Sequence, residues 1–312
     1  MRHFRHLGLC LVAAFALSAV AAGSASAGTV QNPTEKLGIY KNCPVNGYSA
    51  EGRKAELCVF SATEAAPEGG AFTVGGITVP LERQVQLQYG LAENPETGAT
   101  EFIAPTNGAP AIVPTPEVVP GEPIGNITEA EQEEEGWPVG LKYSYALAKK
   151  RGKVKKVFET IEQAGIPVQN STNIIFEEGV GVLAPVKIKG ENKWLSELGD
   201  VCYIGSEEDP ITQHLTTGSS TSPLTSEVLK GSAGELRIFL EGSAILLTHS
   251  DLVDNTYAVP AASCTGPYSS YIGAAIDKAF GIPAVAGASN TQLKGTLYES
   301  VAELIKKKKI AH

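Results

Sequence analysis

The sequence lacks the short motifs on which most enzyme assignments rest. It has no HExxH zinc motif, no P-loop, no Rossmann glycine pattern and no GxSxG nucleophile elbow. Histidine is scarce: the chain has 5, and beyond residue 27 only His214, His249 and His312 remain. Because zinc sites and acid–base catalysis depend on such residues, the sequence favours a non-enzymatic protein, structural or binding, and predicts no cofactor.

Positive charge and long apolar runs are also in short supply. The formal net charge is −9, which argues against nucleic acid as a partner. Beyond the N-terminus no run approaches the roughly 18 apolar residues that a transmembrane helix needs. Apolar residues nevertheless make up 43% of the chain, so the composition indicates a folded, loop-rich protein.

The first 27 residues read as a signal peptide. Arg2 and Arg5 form a positive n-region, LGLCLVAAFALSAVAA forms a short apolar core, and Ala25-Ser26-Ala27 supplies a cleavage pattern. An uncleaved N-terminal anchor is the alternative. The pattern predicts a protein that is secreted or held at the cell envelope.

Export bears on the cysteines. Without Cys10, which lies in the apolar core of the signal peptide, four remain: Cys43, Cys58, Cys202 and Cys264. An even number in an oxidising compartment indicates disulfides, and three pairings are possible. We favour Cys43–Cys58 and Cys202–Cys264, because each pair lies within one half of the chain.

The N-terminal half of the mature chain shows strand patterns followed by prolines. From 54 to 106 short β-like runs alternate with turn residues, which predicts an antiparallel β-meander within a segment 28–106. Six prolines between 105 and 123 then favour extended backbone. We interpret them as a semi-rigid connector, with an edge segment laid across the sheet as the alternative.

A charged segment completes the stretch 107–152. Glutamates at 129–135 form an acidic run, and Thr128 with Glu131 fits a capping box for a short helix that ends at Gly136. Lysines and an arginine at 149–156 form a basic run. Such runs are usually solvated, although opposite signs allow them to lie against each other.

The segment 153–305 is predicted to be a second β region. The stretch 153–164 fits a strand or a helix, and we choose a strand. SSYIGAAIDKAFG predicts a helix near 271–280, capped by Ser270 and ended by Gly281, and 293–304 fits either type. The basic residues of 306–312 predict a disordered tail, with attachment to an anionic envelope surface as the alternative.

These elements together predict a mainly β fold. We expect a disulfide-stapled antiparallel β-sandwich, or two small β-domains, with one or two short helices.

Two sets of polar residues are candidate sites. His249 and Asp251 are two apart, so on a strand both would point to one face, and with a serine they would resemble a hydrolase triad. A strand end followed by a polar turn is the structural alternative. Candidate calcium ligands form two groups, although neither has EF-hand spacing. These are Asp251, Asp254 and Asn255, and Glu207, Glu208 and Asp209.

Several short phrases, taken in order, resemble a group of secreted actinobacterial proteins with no assigned activity. They are NCP at Cys43, CVF at Cys58, GGAFTVGG, TNG, CYIGS at Cys202, LVDN, GIPAVAG and LKGTL. The resemblance spans most of the mature chain, but the charged segment has no clear counterpart. It implies export, a β-rich fold and the Cys202–Cys264 bond, and it implies no activity.

Three functional hypotheses remain open at this point. The first is a non-enzymatic structural or binding protein outside the cell. The second is a secreted serine-type hydrolase centred on His249 and Asp251. The third is a carrier that holds an apolar ligand in a cavity between the sheets.

Overall fold

The computed structural model of the chain describes residues 37–64, 68–94, 96, 100–106, 112–165, 168–169, 181–239 and 244–308. It is mainly β, with 41% strand and 19% helix, and the strands pair antiparallel. The predicted fold class is therefore confirmed. The predicted signal peptide, 1–27, lies outside the described residues.

The strands run along nearly the whole described chain. They are β1 (Leu57–Thr63), β2 (Gly70–Val74), β3 (Ile77–Pro80), β4 (Gln86–Glu93), β5 (Thr100–Ile103), β6 (Ile112–Val113), β7 (Pro116–Val118), β8 (Val157–Gln163), β9 (Val168–Gln169), β10 (Val182–Asn192), β11 (Val201–Ile204), β12 (Ile211–Leu215), β13 (Ser219–Thr221), β14 (Val228–Lys230), β15 (Glu235–Phe239), β16 (Ala244–Asp254), β17 (Ala262–Thr265) and β18 (Thr291–Val301).

Five α-helices lie in the described part of the chain, more than the one or two that the sequence predicts. They are α1 (Glu129–Glu134), α2 (Val139–Lys150), α3 (Lys193–Leu198), α4 (Ser269–Phe280) and α5 (Ala302–Lys307), and a 3-10 helix spans Leu37–Tyr40. Three of the α-helices have only six residues, and α2 begins without a side-chain cap. Such helices leave weak signals in a sequence.

Eight strands form a closed ring in which each pairs antiparallel with the next. The order is β16, β18, β1, β4, β5, β9, β10 and β12. Thr216 and Val253 close the ring between β12 and β16 with backbone hydrogen bonds of 3.1 and 2.9 Å. Because side chains alternate between the faces of a strand, one set points to the inner face of the ring.

β18 corrects the prediction of a meander over 28–106. It pairs with β1 along all seven residues of that strand and also with β2, while β4 takes the other edge of β1. β2 instead forms a hairpin with β3. Closing the ring places the C-terminal strand β18 against β1 and β2 along one edge and against β16 along the other, so the boundaries predicted at 107 and 153 do not separate independent sheets.

Two short strands of the sheet lie in the proline-rich stretch 105–123. β6 pairs with β4, and β7 pairs with β8, so the alternative of an edge segment is correct. Residues 107–111 lie outside the described part.

The charged segment folds as α1 and α2 and supplies core residues. Trp137, Leu141 and Tyr145 are buried in the main hydrophobic core, together with Trp194 of α3. Thr128 and Glu131 form the predicted capping box. A connector would not bury such large side chains, so 107–152 is an integral part of the fold.

The acidic and basic runs do not lie against each other as a block. Of the basic run, Lys153 pairs with Glu197 and Lys155 with Glu122. These partners lie outside the acidic run.

Later elements confirm the strand chosen for 153–164, which is β8, and the helix near 271–280, which is α4. The residue before α4 is Tyr268, so Ser270 does not cap it; Gly281 ends it with a φ of 68°. The ambiguous stretch 293–304 contains both types, the end of β18 and the start of α5.

α5 corrects the prediction of a disordered tail from 306. Lys306 and Lys307 form its last turn, and Ile305 is fully buried beside Cys58 in a small core cluster. Lysines at a helix C-terminus interact favourably with the helix dipole, which offsets their mutual repulsion. Residues 309–312 lie outside the described part.

The two disulfides join the predicted cysteines. Cys43 and Cys58 tie the segment after the 3-10 helix to the outer face of β1, with Cα atoms 5.7 Å apart. Cys202 and Cys264 sit directly opposite each other on β11 and β17, with Cα atoms 4.0 Å apart.

Candidate functional site

Glu299 lies on the inner face of the ring beside apolar side chains. The registers place Glu299 of β18 opposite Val59 of β1, and Val59 opposite Tyr89 of β4. Tyr89 stacks on Phe102 with ring centroids 4.1 Å apart. Glu299 therefore continues a row of buried apolar groups, with Leu297 two residues before it on the same face.

The part of the chain that the structure describes offers Glu299 no counter-charge. Among the described residues, none donates a hydrogen bond to its carboxyl or forms an ion pair with it. Burial raises the pKa of Glu299 to about 7. Burial, and then the nearby charge of Glu299, raises the pKa of Tyr89 as well. The ring thus holds a carboxyl that changes charge near neutral pH.

Part of this inner face is accessible. Val59, Tyr89 and Phe102 are buried, whereas Leu297 and Glu299 of β18 are only partly so. Leu57 and Leu87, on the same face of β1 and β4, are also partly exposed. A ring of eight strands has an interior that side chains can fill or that can hold one small ligand. The partial exposure around Glu299 fits the second arrangement.

The sequence contains a signal for this site in the alternation of β18, although no short motif marks it. In β18 the inward positions are Thr291, Leu293, Gly295, Leu297, Glu299 and Val301. A carboxylate on the apolar face of a strand is costly to bury unless a hydrogen bond or an opposite charge compensates for it. Because the sequence of 293–304 fits a helix as well as a strand, it does not show by itself that these residues alternate between two faces of a strand.

The hydrolase candidates are not brought together. A β-bulge just before Ser250 breaks the alternation, and His249 has a φ of 56°. Its exposed ring lies 3.0 Å from the carboxylate of Glu64, while Asp251 accepts a 2.7 Å hydrogen bond from Gln292. The described hydrogen bonds join neither residue to a serine hydroxyl, so the geometry gives no support to a triad.

Asp254 and Asn255 serve the structure. Asp254 is fully buried and accepts hydrogen bonds from the backbone of His214 and from the backbone and hydroxyl of Thr256, at 2.6 to 2.8 Å. Asn255 accepts a 2.8 Å hydrogen bond from Ser220. These oxygens already have donors, so they are poorly placed to bind calcium.

The acidic triplet after Cys202 forms an exposed turn. The hydroxyl of Ser206 accepts hydrogen bonds from the backbone of Glu208 and Asp209, and Lys187 lies 3.2 Å from Glu207. Within the described residues no group of three or more potential metal-ligating side chains occurs.

Away from Glu299, two further carboxyls are buried together where β7 pairs with β8. Glu117 lies directly opposite Glu159, and both side chains are almost fully buried. Glu117 accepts hydrogen bonds from the backbone of Glu82 and Arg83 at 2.9 and 3.1 Å. Oε2 of Glu159 is buried without a partner, and burial, reinforced by Glu117, raises the pKa of Glu159 to about 8.

A small cavity beside Glu159 is not a ligand site. It has a volume of about 20 Å³ and is lined by apolar atoms, including those of Val119, Ile188 and Phe280. That volume suits one water molecule, whereas pockets for small organic ligands usually exceed about 300 Å³.

Comparison with known proteins assigns no family: no family model, curated protein or solved structure matches the chain. The resemblance to secreted actinobacterial proteins therefore stays a prediction. In the described part of the chain, no helix is long and apolar enough to cross a membrane.

Proposed function

We propose that this is an exported, non-enzymatic binding protein that holds one small ligand on the inner face of the ring. The ligand is mainly apolar and carries a basic nitrogen. The observation that carries the proposal is Glu299, a carboxyl that lies on a partly accessible apolar surface and has no counter-charge among the described residues.

The chemistry of the ligand follows from the apolar residues around Glu299 and from the positive charge that these residues do not supply. Val59, Tyr89 and Leu297 offer apolar contact, which stabilises a bound ligand by removing apolar surface from water. Glu299 is costly to ionise where it lies, because partial burial raises its pKa to about 7 and no described residue forms an ion pair with it. A protonated amine supplies the missing charge and forms a charge-assisted hydrogen bond.

Export is supported by the signal pattern at 1–27 and by the two disulfides, which persist in oxidising compartments. Disulfides also hold the scaffold together where no cellular machinery repairs it. A preformed, rigid scaffold suits binding, because little conformational entropy is lost when the ligand enters.

The test is calorimetric titration of the full mature protein with dodecylamine and, separately, with dodecanol. We expect dodecylamine to bind the native protein and Glu299→Gln to weaken that binding about tenfold or more, since a charged hydrogen bond is lost. Dodecanol should be affected much less. Glu303→Gln changes an exposed carboxyl on α5 and is the matched control.

The dependence of binding on pH gives a second readout. An amine stays protonated below about pH 10, whereas Glu299 must release its proton to bind a cation when the pH is below its pKa of about 7. Affinity for dodecylamine should therefore fall by up to about tenfold per pH unit below 7. Equal binding of amine and alcohol, or affinity independent of pH, would refute the role of Glu299.

A further inference from the structure

The outward face of α2 carries an apolar stripe that no described element covers. Val139 is 82% exposed, Tyr143 is 71% exposed, and Ala146 is exposed one turn further on. Spacings of four and three residues put these side chains in one line along the helix. The opposite face, with Leu141 and Tyr145, is buried in the main core.

The two ends of this stripe have opposite charge. At its start lies α1, whose exposed Glu134 has no ion pair among the described residues. At its end lie Lys150 and Arg151, which are exposed and likewise have no described ion pair. An ion pair between Lys142 and Glu133 holds α1 beside the first turn of α2.

An arrangement of this kind is complementary to itself. From Val139 to Lys150 the helix rises about 16 Å, so the acidic and basic groups are well separated. If a second copy lies antiparallel along the stripe, each acidic end meets a basic end and the apolar residues meet at the centre. A two-fold axis generates both contacts at once, as in most protein dimers.

We propose that α2 is the interface of a homodimer in which two copies pack this helix antiparallel. The apolar centre provides the contact energy, and the charged ends set the antiparallel register. One helix pair buries less than the roughly 800 Å² per partner of a standard interface, so the dimer is weak and depends on concentration. The proposal is independent of the ligand site in the ring.

Sedimentation velocity of the full mature protein, from about 5 to about 500 µM, tests this interface. We expect a concentration-dependent shift from monomer to dimer. Tyr143→Ser should raise the dissociation constant about tenfold or more, because a central aromatic residue is lost. Tyr48→Ser is the matched control, since Tyr48 is 64% exposed and lies elsewhere. Circular dichroism verifies that each variant is folded.

Charge reversals test the antiparallel register. Lys150→Glu should weaken the dimer by setting like charges against each other, whereas Lys230→Glu, an exposed control on β14, should not. Adding Glu134→Lys to Lys150→Glu reverses both ends and should restore dimerisation. A monomer at all concentrations, an equal effect of Tyr143→Ser and Tyr48→Ser, or failure of the double reversal to restore dimerisation would overturn the proposal.

Discussion

Glu159 shows how one residue can set the pH dependence of stability. It is apposed to Glu117 across two strands, and one of its oxygens has no partner. Its pKa in the folded protein is about 8, against an ordinary value of 4.5. A carboxyl with a raised pKa holds its proton in the folded protein at pH values where the unfolded chain has lost it. Ionisation then favours unfolding, so the contribution of Glu159 to stability falls as the pH rises from about 4.5 to about 8.

We predict that Glu159→Gln removes this fall. The amide resembles the protonated acid in shape and cannot ionise, so the variant should gain up to about 5 kcal/mol relative to the native protein at pH 8.5, and little at pH 4. Urea unfolding at several pH values measures the difference. Glu162→Gln, on the same strand but partly exposed, is the control. A pH-independent difference between native protein and Glu159→Gln would contradict the assignment.

At the scale of elements, the side chain of Asn192 links the end of β10, the start of α3 and the loop before β8 through hydrogen bonds. Asn192 ends β10 and caps α3, where its side-chain oxygen accepts hydrogen bonds from the backbone of Trp194 and Leu195 at 2.8 and 3.4 Å. Its amide nitrogen donates to the carbonyls of Lys153 and Lys156 at 3.1 and 3.0 Å, just before β8. The side chain is almost fully buried, so water cannot replace these bonds.

We predict that Asn192→Ala lowers the free energy of unfolding by about 2 to 3 kcal/mol, because the helix cap and two hydrogen bonds to backbone carbonyls are lost. Asn192→Asp keeps the cap acceptor but loses the two donated bonds, and it adds charge to a buried site. It should therefore be at least as destabilising, and chemical denaturation of both variants measures this. An aspartate variant as stable as the native protein would show that the two donated bonds contribute nothing.

At the scale of the whole molecule, the two disulfides close loops of different length. Cys43 and Cys58 are 15 residues apart, and Cys202 and Cys264 are 62 apart. In the chain-entropy model the longer loop restricts the unfolded chain more, by about 1 kcal/mol. Both bonds are well inside the protein, since Cys58 and Cys202 are buried.

We therefore predict that Cys264→Ser lowers the melting temperature more than Cys58→Ser. Calorimetry under non-reducing conditions, with the remaining partner thiol blocked, compares them. Equal or reversed shifts would show that lost native contacts, and not loop length, decide the stabilisation.

The amino-acid sequence by itself determined the local features of this protein. The alternation of Val85, Leu87 and Tyr89 indicated β4, because side-chain alternation is a property of the strand itself. Thr128 and Glu131 specified the start of α1, and Gly281 the end of α4, because caps act within a few residues. Spacing within each half of the chain was enough to pair the four cysteines.

Only the tertiary structure decided how distant segments combine. β18 pairs along one edge with β1 and β2, which lie more than 200 residues earlier in the chain, and its own sequence pattern does not indicate that β1 is its neighbour. That pairing placed Glu299 beside Val59 and Tyr89, whereas His249 lies at a bulge in β16 and its ring contacts Glu64. The candidate site escaped prediction because its residues come from strands that meet only when the ring closes, and long-range pairing is set by total packing and not by local pattern.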